Sequence, residues 1–291
     1  MQEFLQNHSL LKPNKIIPAL YVVATPIGNL NDITLRAINV LKECDFVVCE
    51  DSRTTSRLLD QLEIKKSFII YNDHSNQVDR EKILNQILQG KSLALVSDAG
   101  TPLISDPGYK LVAFLLENNC KVLSVPGACS AIAALSISGI ESDRFMFVGF
   151  IPNTATGKEN FFKDLANIES SLIFFETSNR LLSSLEKMLT IFGNRTAAVV
   201  REITKLYEET KKASLQDLIA YYKDRQIKGE IVILLSPAKK DQINFDQIDE
   251  EIRLGLKKMK PKDLVSMIAN NFLVNKKLVY QRMLQINKGE E

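Results

Sequence analysis

The sequence predicts an α/β protein that ends in a small helical, helix-turn-helix-like domain. Short apolar runs alternate with stretches of helical period, in two successive series that begin near Leu20 and Phe145. Past Pro237 only helical patterns remain. Strands that are apolar throughout and separated by helices fit a parallel sheet covered on both faces. The 291 residues match two domains of ~150 residues, enough chain for a substantial core without disulfide or metal staples.

In the first series, strands are expected at 20–24, 46–49, 67–71, 93–96 and 122–125. A helix over 32–42 places Ile33, Ala37, Val40 and Leu41 on one face, and further helices are expected at 54–62, 77–89 and 109–118. The second series has strands at 145–148, 172–175, 197–200 and 231–235, with helices at 159–168, 179–191 and 215–222. Ser214, with Asp217 three residues on, resembles a capping box opening the last of these. The polar, proline-containing stretch 236–241 reads as a linker. Beyond it, Pro261 opens a helix with Leu264, Ile268 and Phe272 on one face, and Val279, Met283 and Ile286 mark another. Two short helices joined by a brief turn fit a helix-turn-helix shape; a small helical cap fits the same pattern.

Apolar residues make up 45% and charged residues 25%, which excludes a disordered or fibrous chain. No apolar run approaches the ~20 residues needed to span a bilayer. The first 19 residues lack the basic patch and apolar stretch of a secretory signal, so a cytoplasmic location is expected. Cys44, Cys49, Cys120 and Cys129 are scattered without C-x-x-C spacing, so neither a zinc site nor a disulfide framework is expected. The net charge of +2 hides an asymmetry: from Ile252 onward nine lysines and arginines face three acids, a net +6, leaving −4 for the rest. A basic tail on a mildly acidic body suggests a polyanionic partner; a solvated helical surface is the alternative.

In open α/β sheets ligands gather outside the carboxyl ends of strands. Three loops there are rich in glycine, proline and small polar residues: Thr25-Pro26-Ile27-Gly28-Asn29, Ser97 to Gly108, and Pro126-Gly127-Ala128-Cys129-Ser130. Small residues let backbone groups approach a ligand closely, although any one such loop is explained by tight turns alone. No G-x-G-x-x-G and no G-x-x-x-x-G-K-[ST] occurs, which removes the usual support for dinucleotide and P-loop readings. The two histidines, His8 and His74, are too few for a histidine metal centre, and no G-x-S-x-G elbow supports a serine hydrolase.

These loops carry a resemblance. Val23-Ala24-Thr25-Pro26-Ile27-Gly28-Asn29-Leu30, Glu50-Asp51-Ser52-Arg53-Thr54, Ser97-Asp98-Ala99-Gly100-Thr101-Pro102, Asp106-Pro107-Gly108 and Pro126-Gly127 resemble the ribosomal RNA small-subunit methyltransferase I family. So do Phe174-Phe175-Glu176-Thr177, Arg201-Glu202-Ile203-Thr204-Lys205 and Lys228-Gly229-Glu230. The family belongs to the tetrapyrrole-methylase superfamily, and the match spans about residues 20–235. The resemblance implies two α/β lobes with S-adenosylmethionine in the cleft between them, and a homodimer. It implies methylation of a cytidine ribose 2′-hydroxyl in the decoding region of 16S ribosomal RNA within the small ribosomal subunit. The expected division is a leader (1–18), a first lobe (19–128), a second lobe (129–237) and a basic helical domain (238–291). Carried over by position, Pro26, Ile27, Gly28, Ala99, Gly100, Thr101, Ile104, Cys129, Ser130, Glu176 and Ile203 should contact the cofactor. The first loop departs from the superfamily's triple-glycine-with-aspartate form, and Thr101 replaces its aspartate; both departures mark the RNA-methylating branch. After Phe150-Ile151-Pro152, where family members often carry a basic pair, this chain has Lys158 followed by Glu159.

Methyl transfer from a sulfonium is an in-line displacement, and holding the reactants aligned supplies much of the rate. A ribose hydroxyl is a weak acid, so a base or a cation beside the developing alkoxide helps. Candidates on loops at strand ends are Asp51, Arg53, His74, Arg180, Arg201 and Lys205. Each has a structural alternative: Asp51 as a helix cap, Arg180 as an exposed helix start, Arg201 in an ion pair with Glu202, His74 in solvent. The pattern does not single out the base. The RNA is expected to be gripped through phosphates by Lys257, Lys258, Lys260, Lys262, Lys276 and Lys277, with steep salt dependence. DNA lacks the nucleophile, and no metal is expected. A tetrapyrrole or other small-molecule methylase, and a non-catalytic ribosome-binding module, are the alternatives.

Overall fold

The structure is a computed structural model that describes residues 16–238, 245–256, 259–272 and 276–288. The chain forms two compact units, Met1–Pro237 and Ala238–Glu291.

The first unit holds two five-stranded sheets. In the first, β1 (Leu20–Val23), β2 (Phe46–Cys49), β3 (Ser67–Ile70), β4 (Leu93–Leu95) and β5 (Val122–Val125) run in the order β3-β2-β4-β1-β5, every pair parallel. The helices are α1 (Leu35–Glu43), α2 (Ser52–Gln61), α3 (Gln77–Leu88) and α4 (Tyr109–Glu117). Alternate side chains of a strand point to opposite faces, and both faces are covered here. Tyr21, Val23, Val47 and Ala94 pack with Ala37, Leu41 and Leu59 of α1 and α2. Leu20, Val48 and Leu93 pack with Ile83, Ile87, Leu111 and Leu115 of α3 and α4. That double burial is why β1, β2 and β4 are apolar at every position, while the outer β3 and β5 admit Ser67 and Ser124.

A capping box opens α3: Asn76 accepts from the first turn, and Asp79 accepts from the Asn76 N–H. Asn76→Ala is expected to cost about 1 kcal/mol, read as a modest drop in melting temperature with cofactor binding unchanged.

The second sheet comprises β6 (Phe145–Phe150), β7 (Ser171–Thr177), β8 (Thr196–Arg201), β9 (Glu209–Ser214) and β10 (Glu230–Leu235), in the order β6-β7-β10-β8-β9. Only β6 and β7 are parallel; the other pairs are antiparallel. The apolar-run signature is therefore a signature of burial, not of strand direction. Strand β9, ETKKAS, escapes that signature because it is a half-buried edge strand that admits charged and polar residues, among them Lys211 and Lys212. Helices α6 (Ala155–Leu165), α7 (Leu181–Phe192) and α8 (Leu215–Tyr222) cover one face around Phe162, Phe174 and Leu185. The other face receives α5 (Ser130–Ser138), which follows β5 of the first sheet. Its Ala131, Ala134 and Leu135 pack against Ile173, Ala198 and Val232. The run SAIAALSIS has no polar face at helical period, so the sequence gives no amphipathic signal for α5. At α8, Ser214 accepts from the Asp217 N–H, but the Asp217 carboxylate takes the Ser214 hydroxyl instead of the backbone N–H. Only half a capping box forms there.

Among the described residues the second unit contains three helices, not two: α9 (Phe245–Gly255), α10 (Pro261–Asn271) and α11 (Lys276–Lys288). Ile248, Ile252, Leu264, Ile268, Val279 and Met283 form its core, and Arg282 pairs with Asp249 at 2.6 Å. Lys260, Lys262, Lys276 and Lys277 are exposed; Lys257 and Lys258 lie outside the described residues, as do positions 239–241 of the linker. No described helix is long and apolar enough to cross a membrane.

Candidate active site

Strands β4, β1 and β5 lie side by side, so the loops leaving their carboxyl ends meet. The Thr25 N–H donates to the Gly100 carbonyl at 2.8 Å, and the Gly100 N–H returns a bond to Thr25 at 3.1 Å. Thr101 Oγ1 donates to the Ala128 carbonyl at 2.9 Å. Gly100 has φ +80°, and a Cβ there would stand 3.2 Å from Ile27 Cγ2, so this junction favours glycine. The three loops form one surface, and the carboxyl end of β7, the loop after β8 and the start of β10 face it. Between them lies a cavity of about 420 Å³.

Nine of the eleven residues expected to touch a cofactor line this cavity: Ile27, Ala99, Gly100, Thr101, Ile104, Cys129, Ser130, Glu176 and Ile203. Pro26 and Gly28 do not. Gly28 instead marks a close approach of the two lobes, since a Cβ on it would stand 2.6 Å from Lys205 Cγ. Residues not carried over as cofactor contacts complete the wall: Asp98, Ser105, Asp106, Phe150, Phe175, Thr177, Ser178 and the run Gly229–Val232, several of them inside the motifs quoted for the resemblance.

Backbone strain concentrates in the two rim loops. Leu103 (φ 73°) and Ser105 (φ 62°) lie in the loop after β4, Glu202 (φ 52°) and Thr204 (φ 66°) in the loop after β8. Such residues cost ~1–3 kcal/mol each and persist where the surroundings over-determine them. The second loop is held by Lys205, whose ammonium lies 3.0 Å from Glu202 Oε1 and 2.9 Å from Glu230 Oε2. Glu202 Oε1 also accepts from the Glu230 N–H at 3.0 Å.

The charge in the cavity wall is acidic. Glu176 is buried; Oε1 takes Arg180 at 2.6 Å and the Thr177 N–H at 2.7 Å, and Oε2 takes the Ser184 hydroxyl. Behind it, the buried Lys158 donates to Ser184 at 2.8 Å, and burial pulls its ammonium below the ordinary lysine range. Burial also pushes the Asp98 carboxyl up, with Asp51 adding to the effect. Asp106 is pushed up to about 6 by burial, a hydrogen bond from Ser97 opposing the shift and Glu50, Asp98 and Asp73 adding to it.

Residues 19–219 match the family model of the tetrapyrrole (corrin/porphyrin) methylases. A ribosomal RNA small subunit methyltransferase I of Rickettsia prowazekii is 48% identical over 79% of this chain and 84% of its own length. One from Streptococcus pyogenes serotype M3 is 35% identical over 96% and 99%. The chain belongs to the ribosomal RNA small subunit methyltransferase I family. Among solved structures, diphthine synthase (TM-score 0.56, 14% identity, 75% of this chain and 89% of that one) and a cobalt precorrin-4 methyltransferase (TM-score 0.52, 17%, 75% and 95%) share the fold.

None of the six catalytic candidates lines the cavity of this methyltransferase. Asp51 caps α2 and pairs with the exposed Arg53 at 2.6 Å, an arrangement that holds its carboxyl down to about 2. His74 is exposed, its backbone N–H bonded to Asn72. Arg201 pairs with Glu209 at 3.0 Å, not with Glu202. Lys205 ties the rim loop, as above. Arg180 organises the neighbouring wall: it binds Glu176, Thr177 Oγ1 (3.0 Å), the Ile151 carbonyl (3.1 Å) and Asn153 Oδ1. It also lines an open recess of about 470 Å³ with Phe150, Ile151, Asn153, Thr177 and Asn179. Phe150 and Thr177 belong to both hollows.

Proposed function

We propose that this methyltransferase moves the methyl group of S-adenosylmethionine onto the ribose 2′-oxygen of a cytidine in the decoding region of small-subunit ribosomal RNA. The observation that carries the reading is the cavity itself, built from the loops whose motifs resemble the family. Its residues fit the donor. Gly100 and Gly229 put no side chain into the cavity they line, and a Cβ at either would crowd Ile27 or Glu202. Ile27, Ile203 and Val232 supply apolar walls, and the volume lies within the ~300–1,000 Å³ of small-molecule sites. The acidic wall suits a cationic sulfonium. Gly100, Thr101, Cys129, Ser130 and Ile203 would hold the donor, which supplies an electrophilic methyl carbon when bound.

The adjoining recess would receive the target nucleotide. Phe150 is 54% exposed and offers a stacking face, while Asn153, Asn179 and Arg180 offer hydrogen bonds to a base edge. The lysines of the C-terminal helical unit would hold phosphates, and removing 238–291 should flatten the salt dependence of RNA binding. The reading includes the lobe boundary at 128/129, a cytoplasmic site of action and a homodimer. Phe145 and Met146, exposed on the edge strand β6, suit a second copy. Small subunits lacking ribose methylation, incubated with labelled donor, should gain one mapped 2′-O-methylcytidine. Label on a base carbon or nitrogen would refute the ribose chemistry.

A further inference from the structure

Four carboxylates line the cavity: Asp98, Asp106, Glu176 and Glu230. Three are tied up in ion pairs or open to solvent. Both oxygens of Glu176 are engaged, by Arg180 and Thr177 on one side and Ser184 on the other. Glu230 is paired with Lys205 and its side chain is 80% exposed. Asp98 is exposed and looks onto the Asp51–Arg53 pair. Asp106 is different. It is partly buried, no cation among the described residues pairs with it, and it follows the two strained positions Leu103 and Ser105. The loop that carries it also reaches the second lobe, where Ser105 Oγ lies 3.6 Å from the position a Cβ on Gly149 would take.

We propose that Asp106 is the catalytic base, taking the proton of the ribose hydroxyl as methyl transfer proceeds. The assignment rests on the ribose reading above. Asp106 takes the hydroxyl proton while that oxygen bonds to the methyl carbon; the methyl–sulfur bond breaks, and its electron pair stays on sulfur as a neutral thioether. Its surroundings suit the task. Desolvation and the facing carboxylates Glu50, Asp73 and Asp98 raise its affinity for a proton, against the Ser97 hydrogen bond. A base that titrates near the working pH is the more effective one. The strained loop fixes it without a counter-ion that would lower its basicity.

The test uses the full chain, with small subunits lacking the modification as substrate, and compares Asp106→Asn and Asp106→Glu with wild type. Wild-type single-turnover transfer should fall as pH drops below about 6, where Asp106 becomes protonated. Asp106→Asn should be slower by about 100-fold or more at pH 8, should lose that acid limb, and should bind S-adenosylmethionine as wild type does by calorimetry. Asp106→Glu should recover part of the rate together with an acid limb. Stability gives a readout independent of activity. A raised carboxyl pKa in the folded state means that charging Asp106 costs folded stability above about pH 6 and costs nothing below its unfolded value. The cost sets in above the unfolded value and is complete above about pH 6, so Asp106→Asn should melt higher than wild type at pH 8, by a margin that narrows as pH falls toward the ordinary aspartate value of ~3.9. Wild-type rate and an intact acid limb in Asp106→Asn would overturn the assignment, as would lost donor binding or a lower melting temperature at pH 8. Ribose label from wild type and Asp106→Asn alike sinks this assignment alone; wild-type label on a base sinks the reading beneath it as well.

Discussion

Glu176→Ala is expected to lower the unfolding free energy by about 3–5 kcal/mol, because it removes the one carboxylate that several buried groups share. The side chain of Glu176 is fully buried, and its oxygens accept from Arg180, the Thr177 backbone and Ser184, with Lys158 one hydrogen bond further back. Deleting it strands a guanidinium and an ammonium that burial already disfavours. Denaturant unfolding at neutral pH checks the number, with an unchanged slope as the sign that the folded state keeps its compactness. A function test accompanies it: Arg180, once released, no longer fixes Ile151 and Asn153, so methyl transfer should fall even at temperatures where the variant stays folded. A loss under 1 kcal/mol would mean that the network is not the anchor of this wall. The double change Glu176→Ala with Lys158→Met should cost less than the sum of the two, since each single change strands what the other removes.

Gly229→Ala is the second large effect. The residue has φ +93°, and its Cβ would fall 2.2 Å from Glu202 Oε1 and 2.3 Å from Glu202 Cδ. Neither the dihedral nor the space tolerates a methyl. Strain of ~1–3 kcal/mol adds to overpacking of ~1–3 kcal/mol, so a loss of about 2–6 kcal/mol is expected. The damage is directional. Pushing Glu202 aside breaks its bonds to Lys205 and the Glu230 N–H, which hold the rim loop closed over Ile203. Donor affinity should therefore weaken by at least about tenfold, equivalent to 1.4 kcal/mol, in titration calorimetry. On a Glu202→Ala background the clash is gone, and Gly229→Ala should then cost only its backbone strain. Equal costs on both backgrounds would show that the close approach does not matter.

Much of this architecture could be read in the residues, and the exceptions have physical causes. Every strand of the first sheet was legible because the central strands are buried on both faces and apolar throughout, and the outer β3 and β5 stay apolar but for Ser67 and Ser124. Strand β9 was hidden because an edge strand with one wet side carries lysines at its open positions. Helix α5 was hidden because its exposed side carries Ile132 and Ile137, so no polar stripe marks its period. The loops around the cavity stood out through Gly28, Gly100 and Gly127, residues whose backbones come close to something. The catalytic candidates were another matter. Asp51, Arg53, Arg201 and Lys205 have side chains suited to chemistry, yet each is consumed by a cap or an ion pair that brings together positions two to twenty-five residues apart. Asp106 shows nothing in sequence that separates it from Asp98. Only burial and the absence of a cationic neighbour among the described residues do so.

Helix α5 has a further consequence. It leaves the first sheet through Cys129 and is then packed into the second sheet's own core, where Ile27 of the first loop joins it. The two halves are riveted, with no free hinge between them. Swinging the two sheets apart would tear Ala131 and Leu135 from Ile173 and Val232. The left-handed residues Leu103, Ser105, Glu202 and Thr204 sit outside that shared core, in loops whose local rearrangement would leave the frame behind them intact.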